Sequence, residues 1–425
     1  MLTRRDSLRL LAGAVVGAAA LPARQAAAAA LPARPAVAAG TPPTWTVTGS
    51  SSPSLQPFDD LLRSFMEAQS ISYASLAVVR QGRLVLARGY NSTSGPVLAQ
   101  PTSLFRLASV SKPVTATAIM KLVQDGRLSL SAKVAPMLGL STAADSRLGE
   151  VTVLHLLQHL GGWDRSVSFD PMYRWDFAIS GQLHVPLPVT QANIMDYTSR
   201  YTLDFKPGDR YAYSNYGYML LGKVVEKVTG LPYATYVQQN VLAPVKITRM
   251  VQGRTAQNLR RSSELPYYSE MASATTVLDN SGAQVPMPYG GFNLENMAAH
   301  GAWLSSAVDM AKFTTIFDAP GLLTSSSITQ VFAPPAIDWD GSYYGMGWSV
   351  RPVGGALNTW HDGAYPGTST LMVRRYDGLS WVVLFNRWND ALQRNYTDDI
   401  DYPLHQAADA VTSWPATNLF PTYGL

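Results

Sequence analysis

The sequence has no cysteine. That absence excludes disulfides, a thiolate nucleophile, cysteine-ligated zinc and a lipid-modified cysteine anchor. Charged residues make up only 15% of the 425 residues and hydrophobic ones 47%, a balance that fits a globular chain and excludes a disordered one. No apolar run reaches the ~20 residues that a helix needs to span a bilayer. Beyond the N-terminus no basic run is interleaved with aromatics, so nucleic acid is not an expected partner. Without disulfides the stability must come from a core, which a chain of this length can bury. Length alone allows two or three domains, or one large two-lobed unit.

What is present begins with a leader. Thr3-Arg4-Arg5-Asp6-Ser7-Leu8-Arg9 is a basic segment, Leu10 to Leu21 is apolar, and Ala-rich sequence with small-residue cleavage patterns follows. The Arg4-Arg5 pair resembles a twin-arginine signal, with an ordinary secretory signal as the alternative; either predicts a secreted or extracytoplasmic protein. The leader also carries the net charge. Taking Arg4, Arg5, Arg9, Arg24 and Arg34 from 33 basic residues, and Asp6 from 29 acidic ones, leaves 28 of each. The remaining body is close to neutral.

Ala23 to about Pro57 is rich in Ala, Pro, Ser and Thr; residues 1–40 are assigned to the export leader and 41–57 to a linker. Phe58, Leu61, Leu62 and Phe65 have the 3–4 spacing of an amphipathic helix. Ala74 to Val79 and Leu84 to Arg88 flank Gln81-Gly82, and Thr370 to Arg375 and Trp381 to Asn386 flank Tyr376-Asp377-Gly378; both read as hairpins. The centre carries helical patterns over Val151 to Leu160 and Gly217 to Thr229, the second closed by Gly230 and Pro232. Strands near both ends with helices between them predict an α/β (α+β) fold: an antiparallel sheet flanked by helices. Residues 58–130 and 290–425 would form the α/β lobe, and 131–289 an inserted, mostly helical lobe. Asp164 to Ala192 is rich in aromatics and Pro without a period, and is expected to be either a long loop over a site or irregular surface packing.

Three clusters carry chemistry. In Phe105-Arg106-Leu107-Ala108-Ser109-Val110-Ser111-Lys112-Pro113, the proline fits only in a first helical turn, so a helix begins near Ala108 to Ser111. Ser109 and Lys112 then share one face, with the hydroxyl near the positive helix end and an amine in reach of it. Serine becomes a nucleophile when a neighbour takes its proton, and a lysine of lowered pKa can do so. Alone the spacing is weak: with eight lysines in a serine-rich chain, chance supplies about one such pair. The second cluster is Tyr213-Ser214-Asn215 after a Pro207-Gly208 turn, presenting a phenol and an amide two residues apart. The third is Trp360-His361-Asp362-Gly363-Ala364, where a glycine at a strand end lets substrate approach the backbone, and the Ala364 N–H can pair with that of Ser109 as an oxyanion hole.

In this order the clusters resemble the family of class C β-lactamases, serine DD-peptidases and β-lactamase-like esterases, which carry S-x-x-K, then Y-x-N, then K-T-G or H-x-G. The resemblance covers roughly residues 55 to 390 and includes Leu154 to Gly162 and Gly301 to Phe313. It implies that Ser109 forms an acyl-enzyme and that Lys112 and Tyr213 move the proton. It places Asn215 on the acyl side of a small-molecule or peptide substrate, cell-wall peptides included. His361, Gly363 and Ala364 complete the substrate-binding edge. No cofactor and no metal are implied.

The departure is His361-Asp362-Gly363 where β-lactamases have K-T-G. Histidine is mostly neutral at pH 7, and an Asp362 facing the pocket would repel a substrate carboxylate by ~1 kcal/mol or more. Arg351 is a candidate to restore the positive charge. The expected activity is an exported esterase or amidase working through an acyl-serine. A D-Ala-D-Ala carboxypeptidase or transpeptidase is one alternative, and an inactive sensor or binding protein is the alternative from another class. His155 and His159 have a metal-compatible spacing but lack a companion glutamate, so packing is expected of them. His300 is expected to pack near the cleft. Gly354-Gly355 reads as a turn, and aromatics of Phe169 to Trp175 or Tyr343 to Trp348 are candidates to line the pocket.

Overall fold

The computed structural model describes residues 45–92, 97–271, 273–388 and 395–425. Residues 1–40, where a leader with an export signal is expected, lie outside the described residues. Eight strands form one antiparallel sheet: β1 (Thr46–Ser50), β2 (Tyr73–Arg80), β3 (Arg83–Asn91), β4 (Tyr343–Tyr344), β5 (Ser349–Val353), β6 (Ala356–Tyr365), β7 (Thr368–Arg374) and β8 (Leu379–Phe385). Their order is β1-β3-β2-β8-β7-β6-β5-β4, so the N-terminal hairpin meets the C-terminal strands where β2 pairs with β8. Both expected hairpins are present. Gln81 and Gly82 hold φ of 47° and 74°, the left-handed pair that a two-residue turn needs to match strand twist. Gly354-Gly355, with φ of 55° and 85°, makes the same kind of turn between β5 and β6.

The sheet buries both faces. On one, α1 (Gln56–Ala68) and α5 (Thr397–Asp409) cover Leu76, Val78, Leu371, Val373, Trp381 and Val383 with Phe58, Leu62, Phe65, Ile400 and Leu404. On the other, α2 (Ser111–Gln124) and α4 (Ala307–Thr314) join a larger core that continues into the helical region around α3 (Asn215–Thr229). Helix α3 starts two residues before the expected Gly217, because Ser214 Oγ accepts the Gly217 N–H and caps it, and stops at left-handed Gly230 as its sequence predicts. The expected Val151 to Leu160 helix is shorter, Val153–Leu157, because His159 takes φ 59° and turns the chain out of the helix. Among the described residues no helix is long and apolar enough to cross a membrane.

Candidate active site

Ser109 sits in a 3-10 turn, Ala108–Val110, that runs directly into α2. Ala108 before it is left-handed, φ 46°, a conformation that costs a non-glycine residue ~1 kcal/mol or more. The turn is held against β6. A Cβ on Gly363 would lie 2.6 Å from Leu107 O and 2.7 Å from both Ser109 N and Thr370 Oγ1. Only a glycine lets the strand lie that close to the Ser109 backbone.

Lys112 is fully buried one helical turn on. Its Nζ lies 2.9 Å from Ser109 Oγ, 2.8 Å from Asn215 Oδ1 and 3.2 Å from the His300 carbonyl oxygen. Burial, with help from the Arg165 charge, pushes its pKa well below the usual lysine range, against the opposing pull of Asp170 and Asp362. A neutral amine has two N–H donors and one lone pair. Asn215 Oδ1 and the His300 carbonyl can only accept, so they take the two donors and leave the lone pair for the Ser109 hydroxyl.

Tyr213 is hydrogen-bonded to Ser109, and its ring lies 4.6 Å from Lys112 Nζ. Burial raises its pKa well above 10, so its hydroxyl stays protonated at neutral pH. Beneath it the buried His159 ring packs at 4.3 Å from Tyr213 and 4.5 Å from Tyr344, and its Nδ1 accepts the Ser214 N–H at 3.1 Å. Asn215 opens α3. Its Nδ2 donates to Asp170 at 2.6 Å, which fixes the amide's orientation, because the carboxylate can only accept.

The third cluster lies on the far side. His361 is buried, with Nε2 2.9 Å from the Tyr344 hydroxyl and Nδ1 2.6 Å from the Asp362 carbonyl oxygen. Burial brings its pKa down to about 4, so the ring is neutral at pH 7. Strand β5 pairs with β6 only as far as Trp360. Tyr365 and Thr368 close a two-residue hairpin with β7, so alternation along β6 aims the N–H groups of Asp362 and Ala364 at the side β5 leaves open. That edge runs past the turn bearing Ser109.

A sequence model of the family described as Beta-lactamase matches residues 58–402. The chain belongs to the beta-lactamase family. Penicillin-binding protein 4* of Bacillus subtilis (strain 168) is 27% identical over 71% of this chain and 65% of its own length. Protein flp of Staphylococcus aureus (strain N315) is 28% identical over 47% of this chain and 39% of its own. The chain thus spans less than two thirds of each of these relatives. Among solved structures, the D-amino acid amidase of Ochrobactrum anthropi SV3 superposes with a TM-score of 0.65 at 21% identity, covering 85% of this chain and 99% of that one. The octameric penicillin-binding protein homologue of Pyrococcus abyssi gives 0.62 at 24%, covering 85% and 79%. These likenesses share the antiparallel sheet with flanking helices that the sequence predicts.

Within this beta-lactamase-family cleft, Ser109, Lys112, Tyr213 and Asn215 come together through direct contacts, with His361, Gly363 and Ala364 along the facing strand. Two expectations about charge are corrected. Asp362 does not face the pocket: strand alternation puts it opposite Leu371 on the α5 face, where Asn395 Nδ2 donates to it at 3.0 Å. Arg351 points the same way, over Trp360 at 5.7 Å and into the field of Asp401 and His405. The guanidinium at the site is Arg165, with Cζ 4.9 Å from the centre of the Tyr213 ring. Asp170, Arg165 and Tyr344 are the site residues that the motifs do not name. Phe169 and Trp175 stack on each other at 5.1 Å, with Phe169 packed on Tyr197 and Tyr201 and Trp175 Nε1 donating to the Tyr197 hydroxyl. His155 is spent on a helix cap with Thr152. Among the described residues no group of three His, Asp or Glu has a metal-binding arrangement.

Proposed function

We propose that the protein is an exported serine hydrolase that cleaves an ester or amide through an acyl-Ser109 intermediate. The observation that supports this best is the environment of Lys112: a buried amine 2.9 Å from Ser109 Oγ, with its two other contacts made to obligate acceptors. Ser109 Oγ attacks the carbonyl carbon while its proton passes to the Lys112 lone pair. The oxyanion develops toward the N–H groups of Ser109 and Ala364. Collapse breaks the bond to the leaving oxygen or nitrogen, which takes the Tyr213 proton; Lys112 re-protonates Tyr213. Water then enters by the reverse route, and the acid is released. Asn215 holds Lys112 in place and borders the acyl group.

The names of the relatives and neighbours, penicillin-binding proteins and a D-amino acid amidase, favour amide substrates of amino-acid type beside simple esters. A neutral His361 in place of the motif lysine disfavours efficient β-lactamase turnover. The test is an activity panel of short-chain esters, D-amino acid amides, a D-Ala-D-Ala peptide and a chromogenic cephalosporin, with fluorophosphonate labelling of the nucleophile. Hydrolysis and labelling should both vanish in Ser109→Ala. A Ser109→Ala variant that keeps either, or a wild type that neither labels nor turns over any member, would defeat the reading and leave a binding protein.

A further inference from the structure

The peptide between Leu107 and Ala108, just before the nucleophile, is gripped at both ends by side chains. At one end Thr370 Oγ1 donates to Leu107 O at 2.8 Å. At the other the Ala108 N–H donates to the Tyr365 hydroxyl oxygen. The phenol's own proton goes to Gly301 O at 3.1 Å, because a carbonyl can only accept. Both gripping side chains come from the β6–β7 hairpin: Tyr365 ends β6, next to Ala364, and Thr370 pairs with Gly363. Tyr365, Thr370 and Ala108 are all buried.

What the grip holds is a strained turn. Ala108 has φ 46°, a conformation that an alanine keeps only where its surroundings impose it. Because peptides are planar, fixing the Leu107–Ala108 plane and the Ala108 torsions fixes the direction of the Ser109 N–H. The same phenol reaches toward the base. Gly301 follows His300, whose carbonyl oxygen accepts from Lys112 Nζ at 3.2 Å. We infer that Tyr365, seconded by Thr370, is a positioning residue that holds Ala108 left-handed and so keeps the Ser109 N–H aimed at the oxyanion. This rests on the acyl-Ser109 reading and adds to it the device that preorganises the oxyanion hole. A donor held in place stabilises the developing charge without reorienting as the reaction proceeds. A glycine at position 108 would need no such grip, since glycine takes positive φ without steric cost.

The test follows the rate at which a fluorophosphonate labels Ser109. The phosphoryl oxygen of the probe takes the oxyanion's place, and no knowledge of the substrate is needed. Rates are taken well below the melting midpoint of each variant, with circular dichroism to confirm the fold. Tyr365→Phe keeps the ring, removes the hydroxyl and should slow labelling about 30-fold. Thr370→Val should slow it less, because Leu107 O still accepts the Val110 N–H at 3.1 Å. Adding Ala108→Gly to Tyr365→Phe should recover about fivefold of the loss, which a merely structural hydroxyl would not produce. On an ester that the wild type cleaves, Tyr365→Phe should lower kcat and leave KM in place. Labelling of Tyr365→Phe within about twofold of wild type, or a double variant no faster than Tyr365→Phe, overturns the proposal. So does a rise in KM at constant kcat. If Tyr365→Phe does not fold, Thr370→Val decides alone, and unchanged labelling overturns the proposal. A wild type that does not label at all sinks the serine-hydrolase reading, a result distinct from a labelled enzyme indifferent to the hydroxyl.

Discussion

Lys112 feels two opposed charges from one loop. Arg165 lowers its pKa and Asp170 raises it. If the neutral amine is the base, kcat/KM climbs as pH rises through the Lys112 pKa, and the two charges move that climb in opposite directions. Arg165→Gln removes a cation, raises the Lys112 pKa and should shift the acidic limb of the profile to higher pH. Asp170→Asn should shift it to lower pH while still offering Asn215 an acceptor. Profiles measured on a neutral ester check both, and limbs that move the same way would contradict this account. Neither residue was legible in the motifs. Ser109, Lys112, Tyr213, Asn215 and His361 were, because local spacing and chain order carry them. Arg165 and Asp170 sit in an aperiodic stretch whose path depends on packing against distant helices. The Asp362 expectation failed for a similar reason: sequence gives the alternation along β6 but not which face the cleft is on.

At the level of elements, the site depends on how closely a strand and two helix starts approach. Gly363→Ala would drive a Cβ into Leu107 O and the Ser109 backbone, and a displacement of that kind should lower kcat about 100-fold. Steady-state kinetics beside circular dichroism would check it, with the fold expected to persist. Ser214→Ala removes the cap of α3 and should cost ~1 kcal/mol of stability, read from urea unfolding. The hairpins and α3 were readable because their turn and cap residues act locally. The helix ending at Leu157 was overestimated because His159 leaves it to pack under Tyr213, a tertiary demand with no local signature.

Across the molecule, five of the six histidines have pKa values lowered chiefly by burial: His155, His159, His300, His361 and His405. Below about pH 6.5 the unfolded chain protonates these groups before the native one does, so their contribution to stability is lost as pH falls, for His361 and His405 down to about 4. Asp176 and Asp401, raised by burial to about 6, act in the opposite sense, since the native state binds their protons first. Five groups against two predict a lower thermal midpoint at pH 4.5 than at pH 7, measurable by calorimetry; an equal or higher midpoint would contradict it. The pairing of β2 with β8 has a different consequence. Tyr73 and Asn386 are hydrogen-bonded across 313 residues, and among the described residues the strand bearing His361, Gly363 and Ala364 is joined to the N-terminal strands of the sheet only through β7 and β8. The half of the site that runs from Ser109 to Asn215 therefore emerges from the ribosome long before its other wall exists. Contacts this far apart in sequence form slowly. The nascent chain must keep an unfinished sheet edge from pairing with other chains until the last strands arrive, so its yield in a cell should depend on chaperone capacity more than its final stability would suggest.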